Sequence, residues 1–106
     1  MTIHNATPHA VNIVDAENKV IKVFPKEGFL IRLSVQTQPS TPINGVPTSK
    51  TVFGDAQGLP DFEEGKYYIV SQLIKSALPE RLDLLVPAEV VRSNEGKILG
   101  CRSLGR

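Results

Sequence analysis

Five side chains in this chain have the type and setting to build an anion site: His9, Ser71, Arg81 and Arg92 to hold the anion and Asp83 to steady Arg81. Ser71 ends an apolar strand-like run and begins a helical one. Free backbone N–H groups at a helix start attract an anion, and a hydroxyl there adds a further hydrogen bond. The plainer role of that serine is to cap the helix. Arg81 and Asp83 straddle Leu82, and in extended chain positions two apart share a side. They form either a modest surface ion pair or a guanidinium steadied by its neighbour to grip a phosphate or carboxylate. Arg92 and Arg102 fall on the two arms of a C-terminal hairpin, where facing cations call for an anion between them. Solvated arginines are the alternative there. His4 and His9 flank Asn5-Ala6-Thr7-Pro8 just before the first clear strand. An imidazole there suits phosphate binding or general-base work, or simply hydrogen bonds at a sheet entrance.

No stronger chemical signature accompanies these residues. The chain lacks a phosphate loop, a dinucleotide fingerprint, a His-Glu-x-x-His pair, a Cys-x-x-Cys pair and a nucleophile elbow. Two histidines and one cysteine do not build a standard zinc site, so no metal, cofactor or catalytic residue is assigned. Cys101 sits beside Ile98 and Leu99 and reads as a buried, inert thiol. An enzyme acting on nucleotides or phosphoesters, with His9 and Asp83 as acid and base, is the least favoured class.

Composition narrows the partners. Twelve basic side chains face eleven acidic ones, for a formal net charge of +1, and the pI is about 7.9. The basic residues are scattered and there is no Trp, so nucleic acid is a disfavoured partner. The 41% hydrophobic and 22% charged content is that of an ordinary globular domain. The 106 residues suit one domain spanning 1–106. A single cysteine forms no internal disulfide, which points to a reducing, cytoplasmic setting. The opening Met1-Thr2-Ile3-His4-Asn5 has neither the basic nor the apolar part of a signal peptide. No apolar run approaches membrane-span length.

The elements that must carry these side chains are strands and one helix. Residues 10–14 and 20–24 are β-branched runs joined by a polar turn, which reads as a hairpin. Residues 29–35 alternate, with Phe29, Ile31, Leu33 and Val35 on one face. Residues 36–49 hold Pro39, Pro42 and Pro47 and read as a loose excursion. Inside it, Asn44-Gly45 is a strong hairpin-turn signal, with the chain returning over 49–53. Residues 54–65 read as a loop, or partly an ordered arm. Lys66–Val70 is a strand and runs into a short helix with Leu73, Ile74, Ala77 and Leu78 on one side, stopped by Pro79. A buried strand over 83–86 follows, and a last hairpin turns at Asn94-Glu95-Gly96. The predicted class is α+β (mixed α/β): a β-rich first half, then a β-α-β-β unit with a single short helix packed on a sheet.

Several stretches together resemble a family of small uncharacterised proteins of bacteriophage and prophage genomes. They are Asn5-Ala6-Thr7-Pro8-His9, Tyr68-Ile69-Val70-Ser71, Ala77-Leu78-Pro79-Glu80-Arg81-Leu82-Asp83, Val91-Arg92 and Gly96 to Cys101. The resemblance implies a phage or prophage setting and supplies no catalytic residue. It leads to an expected accessory protein that binds a small anionic ligand, such as a nucleotide, or a host protein. The alternative is a structural or oligomeric interaction module of virion-assembly type, using hairpins and edge strands for homodimerisation or strand addition.

Overall fold

A computed structural model describes residues 1–106. In chain order the elements are β1 (Thr2–Asn5), β2 (Val11–Val14), β3 (Val20–Phe24), β4 (Arg32–Ile43), β5 (Val46–Gln57), β6 (Lys66–Ile69), α1 (Gln72–Ala77), β7 (Leu84–Arg92) and β8 (Ile98–Gly105). Strand makes up 55% of the chain and helix 6%, so the α+β class is weighted heavily towards β.

Six strands form one sheet in the order β1-β6-β7-β8-β2-β3. Pairing is parallel from β1 to β6 and from β6 to β7, antiparallel from β7 to β8, parallel from β8 to β2 and antiparallel from β2 to β3. The period-two alternation of β6 and β7 divides their side chains between two faces. Tyr68, Val70, Leu84 and Val86 join Ala6 on the first face. Ile69 and Leu85 join Val11 and Cys101 on the second. Ile69 and Val70 are both fully buried, each such side chain being worth about 1.5–3 kcal/mol of burial.

The helix covers the first face through Ile74 and Leu78, aided by Phe29, Ile31 and Leu59. Its sequence pattern is one residue too generous, because Leu73 is exposed to solvent. The second face is flanked by side chains of the sheet itself, among them Phe24, Tyr67 and Leu104.

The main departure from expectation is β4–β5. Residues 36–49, read as loose, belong instead to two twelve-residue strands paired as a separate antiparallel ribbon. The strand expected from Phe29 begins only at Arg32, and Gly54–Gln57 extend β5 into the expected loop. The ribbon turns at Asn44-Gly45, both left-handed at φ 49° and 77°, as the hairpin turn of this type requires. None of its 24 residues is buried. The ribbon gives the molecule extents of 51 × 38 × 21 Å and a radius of gyration of 16.8 Å, against about 13 Å for a compact chain of this length.

Candidate functional site

Of the five anion candidates, the structure brings only Arg81 and Asp83 into contact. Arg81 donates from Nε to Asp83 Oδ1 at 2.8 Å and from Nη2 to Oδ2 at 2.7 Å. Nη2 also donates to the Pro60 carbonyl at 2.9 Å. The Asp83 side chain is 1% exposed. The Arg81 hydrogen bonds hold its carboxyl below the usual carboxylate range, and the same bonds raise the guanidinium. The buried carboxylate and the carbonyl take three of the five guanidinium N–H groups, so the pair is first a structural clamp.

The other three serve separate surfaces. Ser71 Oγ accepts from the Ile74 backbone N–H at 3.3 Å, so it caps α1. Arg92 lies at the outer end of β7 and donates to the Gly96 carbonyl at 3.4 Å. The β7–β8 register sets it opposite Ile98, four residues short of Arg102. Arg102 instead donates to the Asp15 carbonyl and to Asn18 Oδ1. His9 is exposed, and its carbonyl accepts from Asn5 Nδ2 and Thr7 Oγ1 at 2.7 and 2.9 Å. The common cationic recess that would join these groups does not form.

Sequence reasoning reached His4 at the sheet entrance but missed the polar network around Asn5. Asn5 is fully buried. Its Nδ2 donates to the His9 and Phe24 carbonyls, and its Oδ1 accepts from the Thr7 N–H and hydroxyl. The readable signal was Asn5-x-Thr7-Pro8, an Asx-turn pattern. Beside it, Glu27 Oε2 accepts from the Asn5 N–H at 2.6 Å while Oε1 meets His4 Nδ1 at 3.0 Å. The His4 ring stacks on Tyr68, and its Nε2 lies 3.3 Å from Thr2 Oγ1. Hydroxyl, imidazole and carboxylate in that order form the skeleton of an activated nucleophile. Here the three sit on open surface, and neither of the two recesses described below reaches them. Without walls that exclude water, they act as a polar brace between β1 and the chain after β3. No three metal-ligating side chains come together.

The larger recess holds about 480 Å³ along the seam between β2 and β8. These strands pair only at Ile13 and Cys101, and the recess opens from there towards their N-terminal ends. Val11, Pro87, Val90, Leu99 and Cys101 make its apolar lining, with His9 among its polar residues. Burial pushes the Cys101 thiol up, and Sγ lies 3.7 Å from the Asn12 carbonyl, so it is packing rather than a nucleophile. A smaller recess lies between Ser71, Ile74 and Phe29 to Ile31.

No family model, curated protein or solved structure matches this chain. Exposed apolar groups occur at the ribbon tip, where Ile43 and Val46 are 65% and 59% exposed, and around the seam recess, where Ile98 and Val90 are 62% and 45% exposed, besides others elsewhere such as Leu30, Leu82 and Ile21. No helix is long and apolar enough to cross a membrane.

Proposed function

We propose that this chain is an oligomeric interaction module that associates with further copies of itself through its projecting ribbon. The supporting observation is the ribbon: 24 ordered residues with none buried. A two-stranded hairpin alone is marginal in water, so one of this length makes physical sense as half of an interface. The chain exposes 7557 Å², whereas a compact monomer of 11.6 kDa exposes about 5,800 Å². In the phage or prophage setting of the resemblance, the natural role is virion assembly, with the unassembled subunit in host cytoplasm and Cys101 reduced. The small-anion role has less support, because Arg81 and Asp83 are clasped to each other while Ser71 caps α1 and Arg92 sits apart at the outer end of β7.

Light scattering and sedimentation of the full chain over a concentration series test the reading. A mass that rises with concentration, or a stable multiple of 11.6 kDa, is the expected result. A monomer at every concentration overturns it.

A further inference from the structure

We infer that copies join head to tail, with the ribbon tip of one seated in the β2–β8 recess of the next. The inference rests on the interaction-module reading and names the two surfaces that meet. The tip pairs Ile43 with Val46 across the turn, between Pro42 and Pro47. A proline lacks the N–H that strand addition needs, so this end offers apolar side chains rather than a backbone edge. The middle of the ribbon is polar, with Thr37 opposite Thr51 and Gln38 opposite Lys50. Apolar surface is thus held at the far end of a rod of about 40 Å. The recess offers the complementary surface: an aliphatic lining from Val11, Pro87, Val90 and Leu99, in the size range of sites that take a few apolar groups.

Placement sets the contact between copies. The chain flanking the ribbon packs through Phe29, Ile31 and Leu59 on the Tyr68 and Val70 face, while the recess is floored by Val11 and Cys101 of the opposite cluster. Area leaves room for two contacts per copy. The surplus over a compact monomer is about 1,700 Å², and a standard interface takes about 800 Å² from each partner. Two different patches, one donated and one received, make a heterologous contact. Its repeat closes into a ring or runs on as a filament.

Two exposed substitutions test this. Val46→Asp spoils the tip and leaves the recess, while Val90→Asp spoils the recess and leaves the tip. Each variant alone should fail to associate while keeping the wild-type circular dichroism and melting curve. Mixed one to one, they should form a heterodimer, because one intact tip meets one intact recess. Association of either variant alone, or a mixture that stays monomeric while wild type associates, overturns the docking and leaves the module reading standing. Monomeric wild type overturns both.

Discussion

Arg81 and Asp83 are clasped through two parallel hydrogen bonds of 2.8 and 2.7 Å at the entrance to β7. The backbone beside the clasp does further work: the Asp83 carbonyl accepts from the Tyr68 N–H, and the Arg81 fork reaches the Pro60 carbonyl. One ion pair therefore ties β6, β7 and the segment after the ribbon together. Spacing in the sequence found the pair, but its chemistry is inward.

Removing the cation leaves a buried carboxylate without its partner. Arg81→Met should cost about 3 kcal/mol in urea unfolding. Arg81→Lys should recover only part of that, because an ammonium cannot reproduce the parallel fork. A loss no larger than that of a typical exposed pair, under about 1 kcal/mol, would show that the clasp is not the clamp described.

Acid should weaken the fold through two carboxylates. The Arg81 hydrogen bonds lower Asp83, and the His4 hydrogen bond lowers Glu27. Each is more acidic folded than unfolded, so the unfolded chain takes up protons first as pH falls. Their contribution is complete above the ordinary carboxylate range of about pH 4 and is lost as pH drops through the folded values. Urea midpoints measured from neutral pH downward should fall, and the fall should be shallower in Asp83→Asn and in Glu27→Gln. An unchanged slope in both would remove these groups from the acid response.

What was legible in the sequence follows from range. The β2–β3 and β7–β8 hairpins, the Ser71 cap and the Asn44-Gly45 turn are set by neighbours a few residues apart. The short β1 was missed because its partner β6 lies some sixty residues on and four residues show no period. The ribbon was misread because Pro39, Pro42 and Pro47 read as strand breakers. In a two-stranded ribbon each strand keeps an open edge, where a missing N–H leaves no ladder bond unmade. Arg92 and Arg102 do lie on opposite arms of one hairpin, but the register sets Arg92 against Ile98, four residues short of Arg102. The seam recess has no local signature, since residues 9–12 and 98–101 meet only through the completed sheet.

The Asn5 amide is the polar keystone of the N-terminal entry, and its chemistry is specific. Asn5→Leu leaves two carbonyls and the Thr7 N–H and hydroxyl without their partner. Each unsatisfied group costs about 1–3 kcal/mol, so the variant should melt far below the parent. Asn5→Asp tests direction at constant shape, because a carboxylate set against the His9 and Phe24 carbonyls accepts where it must donate. A mild effect in thermal melts of both would mean that water replaces the amide without loss.

Gly100 marks where β8 and β2 press together at the recess. A Cβ there would lie 2.6 Å from the Asn12 carbonyl oxygen and 3.0 Å from Val14 Cγ1. One contact is backbone and the other is a buried side chain, so neither yields easily. Gly100→Ala should lower stability by about 1–3 kcal/mol and widen the seam, seen as faster amide exchange in β2. Wild-type exchange at Val11 to Val14 would show that the two strands are free to part.

The ribbon and the body should separate energetically. Gln36 faces Val52 across the ribbon, so replacing residues 37–51 by Asn-Gly closes a two-residue hairpin at that pair. Every residue removed is exposed except the half-buried Thr48, and the clusters around Tyr68 and Ile69 draw nothing from the deleted span. The shortened chain should therefore unfold within about 1 kcal/mol of the parent, with the same cooperativity, while its self-association disappears. Retained association would move the contact onto the sheet body. A shortened chain that no longer folds would make the ribbon part of the core's own support, and its length would then answer to stability rather than to a second copy.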